Sequence, residues 1–220
     1  MAYTIQQVDL DDAEVITDIF RQAFADDHIM SHIHSNVPED IQWEHDLQYF
    51  KTILSQGGTF GARWSKAVES TTGKAVAFAR WVYPINLSPE LEEKKAAAAR
   101  IRRALPAGSN KALSDEYYDN LWTGRKRWYD EKTMYFLHIL CVLPSHQHRG
   151  LGSLFLASGL EAADAAGAKT HVDPTPAGYP MYVKWGFEDV DKFFLDMSPH
   201  GGHKIEEQVV MVRHPKATKA

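Results

Sequence analysis

Seven consecutive residues near the middle of the chain have types and spacing that could bind an anion. They are Gln147-His148-Arg149-Gly150-Leu151-Gly152-Ser153, and they separate an apolar run from a segment with helical spacing. The first turn of a helix leaves backbone N–H groups without partners, and glycines let an anionic ligand approach them closely. Two glycines at such a junction are equally typical of a plain tight turn. The pattern alone therefore leaves a phosphate site and a simple turn as alternatives.

One side chain outside this junction could move protons. His138 is the single polar residue between positions 134 and 143, and an imidazole titrates close to neutral pH. A lone histidine in an apolar strand is frequently a packing residue. A catalytic role and a packing role are therefore both open for His138.

A buried strand and an amphipathic helix must position these groups. Every residue at 134–143 except His138 is apolar or aromatic, which is typical of a strand buried on both faces. Apolar residues at helical spacing predict a helix at 151–165, with Gly167 at its C-terminal stop. Residues 169–173 are predicted as the next strand, which completes a right-handed β-α-β unit with parallel strands.

The junction resembles the acetyl-CoA-binding motif of the GNAT acetyltransferase superfamily, which is Gln/Arg-x-x-Gly-x-Gly/Ala after a strand ending in Val-x-Pro. Here Val142-Leu143-Pro144 precedes Gln147, Gly150 and Gly152. A second motif, Tyr182-Val183-Lys184-Trp185-Gly186-Phe187, resembles the family's Tyr-x-x-x-Gly-Phe and follows at the expected distance. Two motifs in order are far more specific than either one, and the resemblance is sharpest at 133–197.

Two other phosphate-binding motifs fit less well. A Walker A loop needs Gly-Lys-Ser/Thr after the glycines, and none is present. A dinucleotide fingerprint needs a third glycine where the chain has Phe155, although Asp173 is placed as a ribose-binding acid would be. A nicotinamide-dependent oxidoreductase remains a distant alternative, because the chain turns to strands after Asp173 instead of adding further strand-helix units.

The resemblance implies a set of cofactor contacts. It places the pyrophosphate of acetyl-CoA on the N–H groups of 147–153 and the pantetheine arm along the backbone of 140–142. Thr175 stands where the family commonly has an asparagine that hydrogen-bonds to the cofactor. The predicted cofactor-binding residues are Leu140, Cys141, Val142, Gln147, His148, Arg149, Gly150, Leu151, Gly152, Ser153, Thr175 and Tyr182.

The resemblance also implies two catalytic residues. Tyr182 matches the tyrosine that protonates the leaving sulfur in this family, and a phenol suits that role because its unperturbed pKa lies above that of a thiol. A buried aromatic residue that serves the core alone is the alternative for Tyr182. His138 matches a catalytic histidine of the arylalkylamine branch. The second histidine that is often found two residues earlier in that branch is replaced here by Phe136. Glu131 and Asp173 are the alternative bases.

Length and composition predict one α/β domain. At 220 residues and 44% hydrophobic content, the chain can build one substantial core and is short for two. We expect a single GNAT domain at 1–220, with a central mixed β-sheet flanked by helices and a helical insertion at about 84–130 between the third and fourth strands. The other predicted elements are strands at 3–8, 59–66, 74–83, 189–197 and 206–214, a helix from about 12 to 26, a loop at 26–37, a helix at 38–54, and insertion helices at 88–104 and from 114.

Charge and cysteine usage limit the partners. The formal net charge of −5 argues against a nucleic acid or an anionic membrane, since no basic field dominates. The single cysteine, Cys141, excludes an intramolecular disulfide and fits a reducing compartment, so we expect a cytoplasmic protein, with the nucleus as a second location. Three histidines at 28–34 lack a cysteine or a well-spaced carboxylate, so no metal is expected. A monomer or a homodimer is expected.

The resemblance implies an acetyl-CoA-dependent N-acetyltransferase that acts on a primary amine, most simply of a small molecule, by direct attack in a ternary complex. The loop at 26–37 and the insertion should border the acceptor pocket, where aromatic rings with Asp26, Asp27, Asp130 and Glu131 could hold a cationic amine. The insertion's aromatic residues could equally form a helical flap packed on the core. Two further alternatives are a non-catalytic acyl-CoA-binding or sensing module and a protein-lysine acetyltransferase.

Overall fold

The computed structural model of the chain describes residues 3–102 and 105–216, without the side chains of 98–102. Within these residues, seven strands form one sheet. The strands are β1 (Tyr3–Gln7), β2 (Ala62–Glu69), β3 (Ala75–Val82), β4 (Tyr135–Val142), β5 (Thr170–Val172), β6 (Glu188–Asp196) and β7 (Ile205–Arg213). The helices are α1 (Ala13–Ala23), α2 (His28–Ile33), α3 (Glu39–Ser55), α4 (Pro89–Arg102), α5 (Lys111–Trp128), α6 (Leu151–Ala165) and α7 (Tyr179–Lys184).

The sheet is mixed, as predicted. Its order is β1-β2-β3-β4-β5-β7-β6, and every neighbouring pair is antiparallel except β4 and β5. Helix α6 makes the crossover between these two parallel strands, because parallel neighbours cannot be joined by a tight turn. The predicted helical insertion is present as α4 and α5 between β3 and β4. The first helix of the insertion was predicted to end at position 104, which lies outside the described residues.

The two faces of the sheet carry different helices. On one face, α6 and α7 bury Leu156, Leu160 and Tyr182 against β3, β4 and β5. Gly159 lets α6 approach the sheet closely, since a Cβ there would lie 2.2 Å from the Trp81 ring. On the other face, α1 and α3 bury Ile16 and their neighbours against β2, β3 and β4.

Helix α5 lies on that second face as well, where it packs against β6, β7 and α2. A Cβ at Gly124 would lie 2.9 Å from Cγ2 of Val210, so the helix touches β7 at this position. Val210 must face away from α6, because its neighbour Met211 belongs to the α6 core and side chains alternate along a strand. The start of α5 is fixed by Asn110, whose Oδ1 accepts from the N–H of Leu113 at 3.1 Å. The helix therefore begins three residues before the predicted Ser114.

The expected loop at 26–37 contains a helix, α2, which corrects the prediction for this segment. Asp27 caps it, because its Oδ1 accepts from the N–H groups of Ile29 at 3.1 Å and Met30 at 2.9 Å. Ile29 and Ile33 are buried against Leu113 of α5. Six residues are too few to form a stable helix in isolation, so tertiary packing stabilises it and the local sequence pattern does not reveal it.

Candidate functional site

The parallel pairing between β4 and β5 is short. It joins Tyr135 to Thr170, Phe136 to His171 and Leu137 to Val172, and it ends there because β5 ends at Val172. Strand β4 continues to Val142 and pairs only with β3 over that length. The backbone edge of 138–142 that faces the β5 side is therefore not paired with any described strand. An extended ligand could hydrogen-bond to this edge as an added strand does.

His138 lies at a bulge where this open edge begins. Arg80 of β3 is opposite Ile139, and Trp81 is opposite Leu137, so His138 is the extra residue on β4. A bulge of this kind bends the strand and changes the direction of the side chain. The imidazole is half-buried, and its ring centroid lies 5.3 Å from that of Phe136.

The first turn of α6 follows β4 directly. Gly150 is the N-cap residue with a left-handed φ of 85°, and its C=O accepts the first helical bond from the N–H of Leu154 at 3.0 Å. The N–H groups of Leu151, Gly152 and Ser153 consequently have no hydrogen-bond partner among the described residues. Gln147 lies at the same turn, where its Nε2 donates to the C=O of Val142 at 3.3 Å. These N–H groups could bind an anion such as a phosphate.

Glycine is favoured at the two positions of this turn for different structural reasons. No atom lies within 4 Å of a Cβ built on Gly150, but its positive φ favours glycine. A Cβ on Gly152 would lie 2.7 Å from the sulfur of Met181 in α7. Gly152 therefore permits close packing of α6 against α7, whereas the surface around Gly150 stays open. His148 also has a left-handed φ, of 59°.

Tyr182 is buried, with 6% of its surface exposed, and its ring lies 5.6 Å from that of Phe187. Its hydroxyl has no hydrogen-bond partner among the described residues, so it can donate to a ligand. Burial, with a smaller effect of Cys141, raises the pKa of Tyr182 above its ordinary value. The phenol stays protonated at neutral pH, as a proton donor must.

Two other predicted contact residues support this arrangement. Thr175 stabilises the turn before α7, because its Oγ1 accepts from the N–H of Gly178 at 3.2 Å. Cys141 is 1% exposed, and burial raises the pKa of its thiol. A protonated, buried thiol is a poor nucleophile, so the packing role fits Cys141.

Two tyrosines of α5 lie within electrostatic range of a tyrosine and a carboxylate of α3 and of the carboxylate that caps α2. Burial raises the pKa of Tyr118 to about 12, with contributions from Tyr49 and from the charges of Asp46 and Asp27, although 36% of the side chain is exposed. Burial and the same Asp27 charge raise the pKa of Tyr117. The rings of Tyr117 and Tyr118 are 5.0 Å apart. We call Asp27, Asp46, Tyr49, Tyr117 and Tyr118 the tyrosine-acid cluster.

Asp27 differs from Asp46 within this cluster. Asp46 is neutralised by Arg21, with 3.1 Å between its Oδ2 and the guanidinium. Asp27 forms no ion pair with a described residue. Burial raises the pKa of Asp27 above its ordinary value, and the Glu206 charge adds to this effect. A cationic ligand would relieve that repulsion.

The other predicted acids are engaged elsewhere. Asp130 accepts hydrogen bonds from the N–H of Lys132 at 3.0 Å and the hydroxyl of Thr133 at 2.8 Å. Glu131 pairs with Lys95 of α4. Asp26 is exposed at the end of the α1 segment. The structure therefore brings Asp27, but not these three acids, into the tyrosine-acid cluster.

Sequence reasoning missed several residues of the site. Tyr49 and Asp46 come from α3, which was predicted only as a packing helix. Arg80 is 5% exposed on the same face, with its guanidinium 5.4 Å from the Trp64 ring centroid. Arg125 pairs with Asp173, one of the two alternative bases. Only Arg80 could have been noticed in the sequence, because it is a charged residue within the otherwise apolar segment of β3.

Two further features are absent from the described residues. No group of three or more histidine, cysteine or acidic side chains is arranged to hold a metal ion. None of the described helices combines the length and the apolar character that crossing a membrane requires.

No protein-family model matches the sequence. Solved structures, in contrast, match nearly the whole chain. The polyamine N-acetyltransferase of Drosophila melanogaster is 19% identical with a TM-score of 0.61, over 97% of this chain and 100% of that one. The PaiA N-acetyltransferase of Thermoplasma acidophilum, solved with coenzyme A, is 12% identical with a TM-score of 0.53, over 97% and 99%. The C-terminal condensation domain of Ebony, solved with β-alanyl-dopamine, is 9% identical with a TM-score of 0.68, over 97% and 99%.

Each of these similarities covers 97% of the chain. At such low identities they establish the architecture and not the activity. The chain has the fold of the GNAT N-acetyltransferases.

Proposed function

We propose that this protein is an acetyl-CoA-dependent N-acetyltransferase that acts on a small primary amine. The main support is one juxtaposition: the open backbone edge of 138–142 runs directly into the unpartnered N–H groups at the start of α6. An extended chain that ends in a phosphate fits this combination, and the pantetheine-pyrophosphate part of acetyl-CoA is such a chain. The cytoplasm is the proposed compartment, since Cys141 is a free thiol.

The residues present fit this cofactor in two respects. The open surface at Gly150 leaves room for a pyrophosphate beside the N–H groups of Leu151, Gly152 and Ser153. The edge at 140–142 offers backbone donors and acceptors to the amide groups of the pantetheine arm. The bound cofactor would supply an activated acetyl thioester. The coenzyme A bound to the Thermoplasma acidophilum acetyltransferase supports the same choice of ligand.

Two side chains of the site would move the protons. His138 would accept a proton from the attacking ammonium, directly or through water, which leaves a neutral amine. Tyr182 would donate its phenolic proton to the departing sulfur. In the balanced reaction a C–N bond forms and a C–S bond breaks. One proton of the ammonium passes to His138, and the proton that the nitrogen loses after the attack replaces the one that Tyr182 has given to the thiol. The direct attack needs both substrates bound together, as in a ternary complex.

The tyrosine-acid cluster is the proposed acceptor site. Its phenol rings can contact a cation through their faces, and Asp27 offers a carboxylate without a cationic partner among the described residues. The same carboxylate disfavours an anionic acceptor. Two proteins of this fold support an amine of this kind, since one is named for polyamines and another holds an acylated dopamine.

The experiment that tests the proposal measures binding and turnover separately. Isothermal titration with acetyl-CoA reports binding, and a thiol-release assay across arylalkylamines, polyamines, amino acids, aminoglycosides and a histone-tail peptide reports turnover. Binding with turnover of small amines is expected. Binding without any turnover would identify a sensing module, and turnover of the peptide alone would identify a protein-lysine acetyltransferase.

A matched pair of variants tests the phosphate position. Gly150→Asp and Gly150→Asn introduce side chains of nearly equal size at the same left-handed φ, and they differ in charge. The aspartate should weaken acetyl-CoA binding by at least about 10-fold more than the asparagine, because its charge competes with the phosphate at the helix N-terminus. Equal binding by the two variants would contradict the proposed cofactor site.

A further inference from the structure

An ion pair connects the insertion helix α5 to the end of β5. The Nε of Arg125 donates to Oδ2 of Asp173 at 2.6 Å. His171 holds the other carboxylate oxygen, with 2.9 Å between its Nε2 and Oδ1 of Asp173. Since a carboxylate can only accept, Nε2 of His171 must carry the proton. The side chain of Asp173 is 8% exposed, and that of His171 is fully buried.

Aromatic rings surround this ion pair. The guanidinium of Arg125 lies 4.9 Å from the centroid of the Phe136 ring. Phe136 in turn lies 5.0 Å from His171 and 5.3 Å from His138. Tyr129, which follows α5, contacts both Phe136 and His171 at 5.1 and 5.4 Å. The pair is therefore packed between α5 and the point where β4 and β5 separate.

The protonation state of Asp173 argues against its use as a base. Burial alone would raise the pKa of Asp173, but the charge of Arg125 and the hydrogen bond from His171 lower it below its ordinary value. Both carboxylate oxygens already accept hydrogen bonds. A carboxylate in this state accepts protons poorly at neutral pH.

The position of Arg125 on α5 links the pair to the tyrosine-acid cluster. Tyr117 and Tyr118 lie about two helical turns before Arg125, on the same side as the buried Leu121. Gly124 permits the contact with Val210 one residue before the ion pair. The glycine sets how close α5 lies to the sheet, and Arg125 fixes its position along β5.

The geometry points to Arg125 and Asp173 as a positioning pair that holds Tyr117 and Tyr118 of the tyrosine-acid cluster in place. His171 orients the carboxylate by its hydrogen bond. The pair contacts no reacting group. The part of this inference that concerns the acceptor rests on the proposed function, whereas the attachment of α5 does not.

Three arginine variants test the kinetic part. Arg125→Met removes the charge and the hydrogen bond, and Arg125→Lys restores the charge alone. Arg127, which lies on the same helix, provides the control variant Arg127→Met, which removes an exposed pair with Asp191 of β6. With the amine found by the screen, Arg125→Met should raise the KM for the amine about 10-fold, because Tyr117 and Tyr118 would move with α5 and bind the acceptor poorly. The kcat and the KM for acetyl-CoA should stay within about 3-fold of the parent. Lysine should restore part of the loss, and Arg127→Met should match the parent.

Asp173→Asn separates positioning from catalysis. A positioning role predicts the same rise in amine KM as Arg125→Met, with the acidic limb of the kcat/KM profile retained. Loss of that limb, or a fall in kcat at unchanged KM, would make Asp173 the base and overturn the inference.

Amide hydrogen exchange in the free protein tests the attachment without any activity. The N–H groups of α5 should exchange at least about 5-fold faster in Arg125→Met than in Arg127→Met, while α6 is unchanged. Equal exchange in the two variants would overturn the positioning role. This measurement remains decisive even if no amine is turned over, so failure of the proposed function stays distinguishable from failure of this inference.

Discussion

Arg213 of β7 and Asp164 of α6 form a two-point ion pair. Nη1 donates to Oδ1 at 2.7 Å, and Nη2 donates to Oδ2 at 2.8 Å. The Nε of the same arginine donates to the C=O of Trp185 at 3.1 Å, and its side chain is 3% exposed. A single buried guanidinium therefore joins the end of the sheet to α6 and to the residue that ends α7.

Asp164→Asn should lower the free energy of unfolding at pH 7 by about 3 kcal/mol, because a buried arginine loses its charged partner. The hydrogen bonds from Arg213 lower the pKa of Asp164. A lowered pKa contributes stability above the unfolded value, and this contribution is lost as the pH falls through the folded value. The difference between parent and variant should therefore shrink below about pH 4, as measured by urea unfolding.

Asp115→Asn is the control for this prediction. It removes an exposed pair with Lys111 on the surface of α5, which should change the free energy of unfolding by less than about 0.5 kcal/mol. A loss for Asp164→Asn as small as that of the control would show that the pair contributes little.

Tyr182→Phe should lower kcat at least about 100-fold with less than about 3-fold change in the KM for acetyl-CoA, since the hydroxyl acts as the sulfur leaves. Thiol-release kinetics measure both constants. The matched variant Tyr179→Phe removes another hydroxyl of α7, which donates to Asp189 at 3.0 Å, and should keep the parent kcat. Equal rates for the two variants would reduce Tyr182 to a packing residue.

His138→Gln should remove the acidic limb of the pH profile of kcat/KM, because the proposed base would no longer titrate. The profile is measured between pH 5 and 9 at saturating acetyl-CoA. The exposed His214 provides the control variant His214→Gln, which should keep the limb. An unchanged limb in His138→Gln would assign the base to another group or to water.

Asp27→Asn should weaken binding of the acceptor amine without destabilising the protein. Asparagine can keep the cap of α2, and the raised pKa of Asp27 means that its charge lowers stability as the pH rises through the folded value. We therefore expect an unchanged or higher Tm at pH 7, together with a rise of about 10-fold in the KM for a cationic amine. Differential scanning fluorimetry and thiol-release kinetics measure the two effects.

A neutral or less basic analogue of the same amine provides the control for Asp27→Asn. Its KM should change less than about 2-fold, because no ionic contact is lost. An equal rise in KM for both acceptors, or a lower Tm, would show that Asp27 acts only as the structural cap of α2.

The parallel β-α-β unit of β4, α6 and β5 and the junction before α6 could be predicted from local signals. An apolar run such as 134–143 has few alternatives to a buried strand, and Gly150 and Gly167 indicate the ends of the following helix. The start of the first insertion helix followed from the capping residue Ser88 and the first-turn proline Pro89, whereas α5 begins three residues before the predicted Ser114. All of these depend on residues that are close in sequence.

The acceptor side could not be predicted in the same way. Helix α2 depends on burial of Ile29 and Ile33 against a helix about 80 residues away in the chain. Arg125 and Asp173 are 48 residues apart, and no periodicity indicates that they meet. The bulge at His138 depends on the register between β3 and β4, which side-chain patterns specify only through the fold.

The short pairing between β4 and β5 also has a mechanical consequence. Within the plane of the sheet, strands β1–β4 and the group β5, β7 and β6 are joined by three residue pairs. Strand β5 is joined to β7 by three residue pairs as well, so a force across the sheet should open one of the two short pairings of β5 before any of the longer strand pairs. A ligand that hydrogen-bonds along the unpaired edge of β4 would lengthen the contact at the junction between β4 and β5. Binding of the ligand should therefore make the sheet stiffer at this junction.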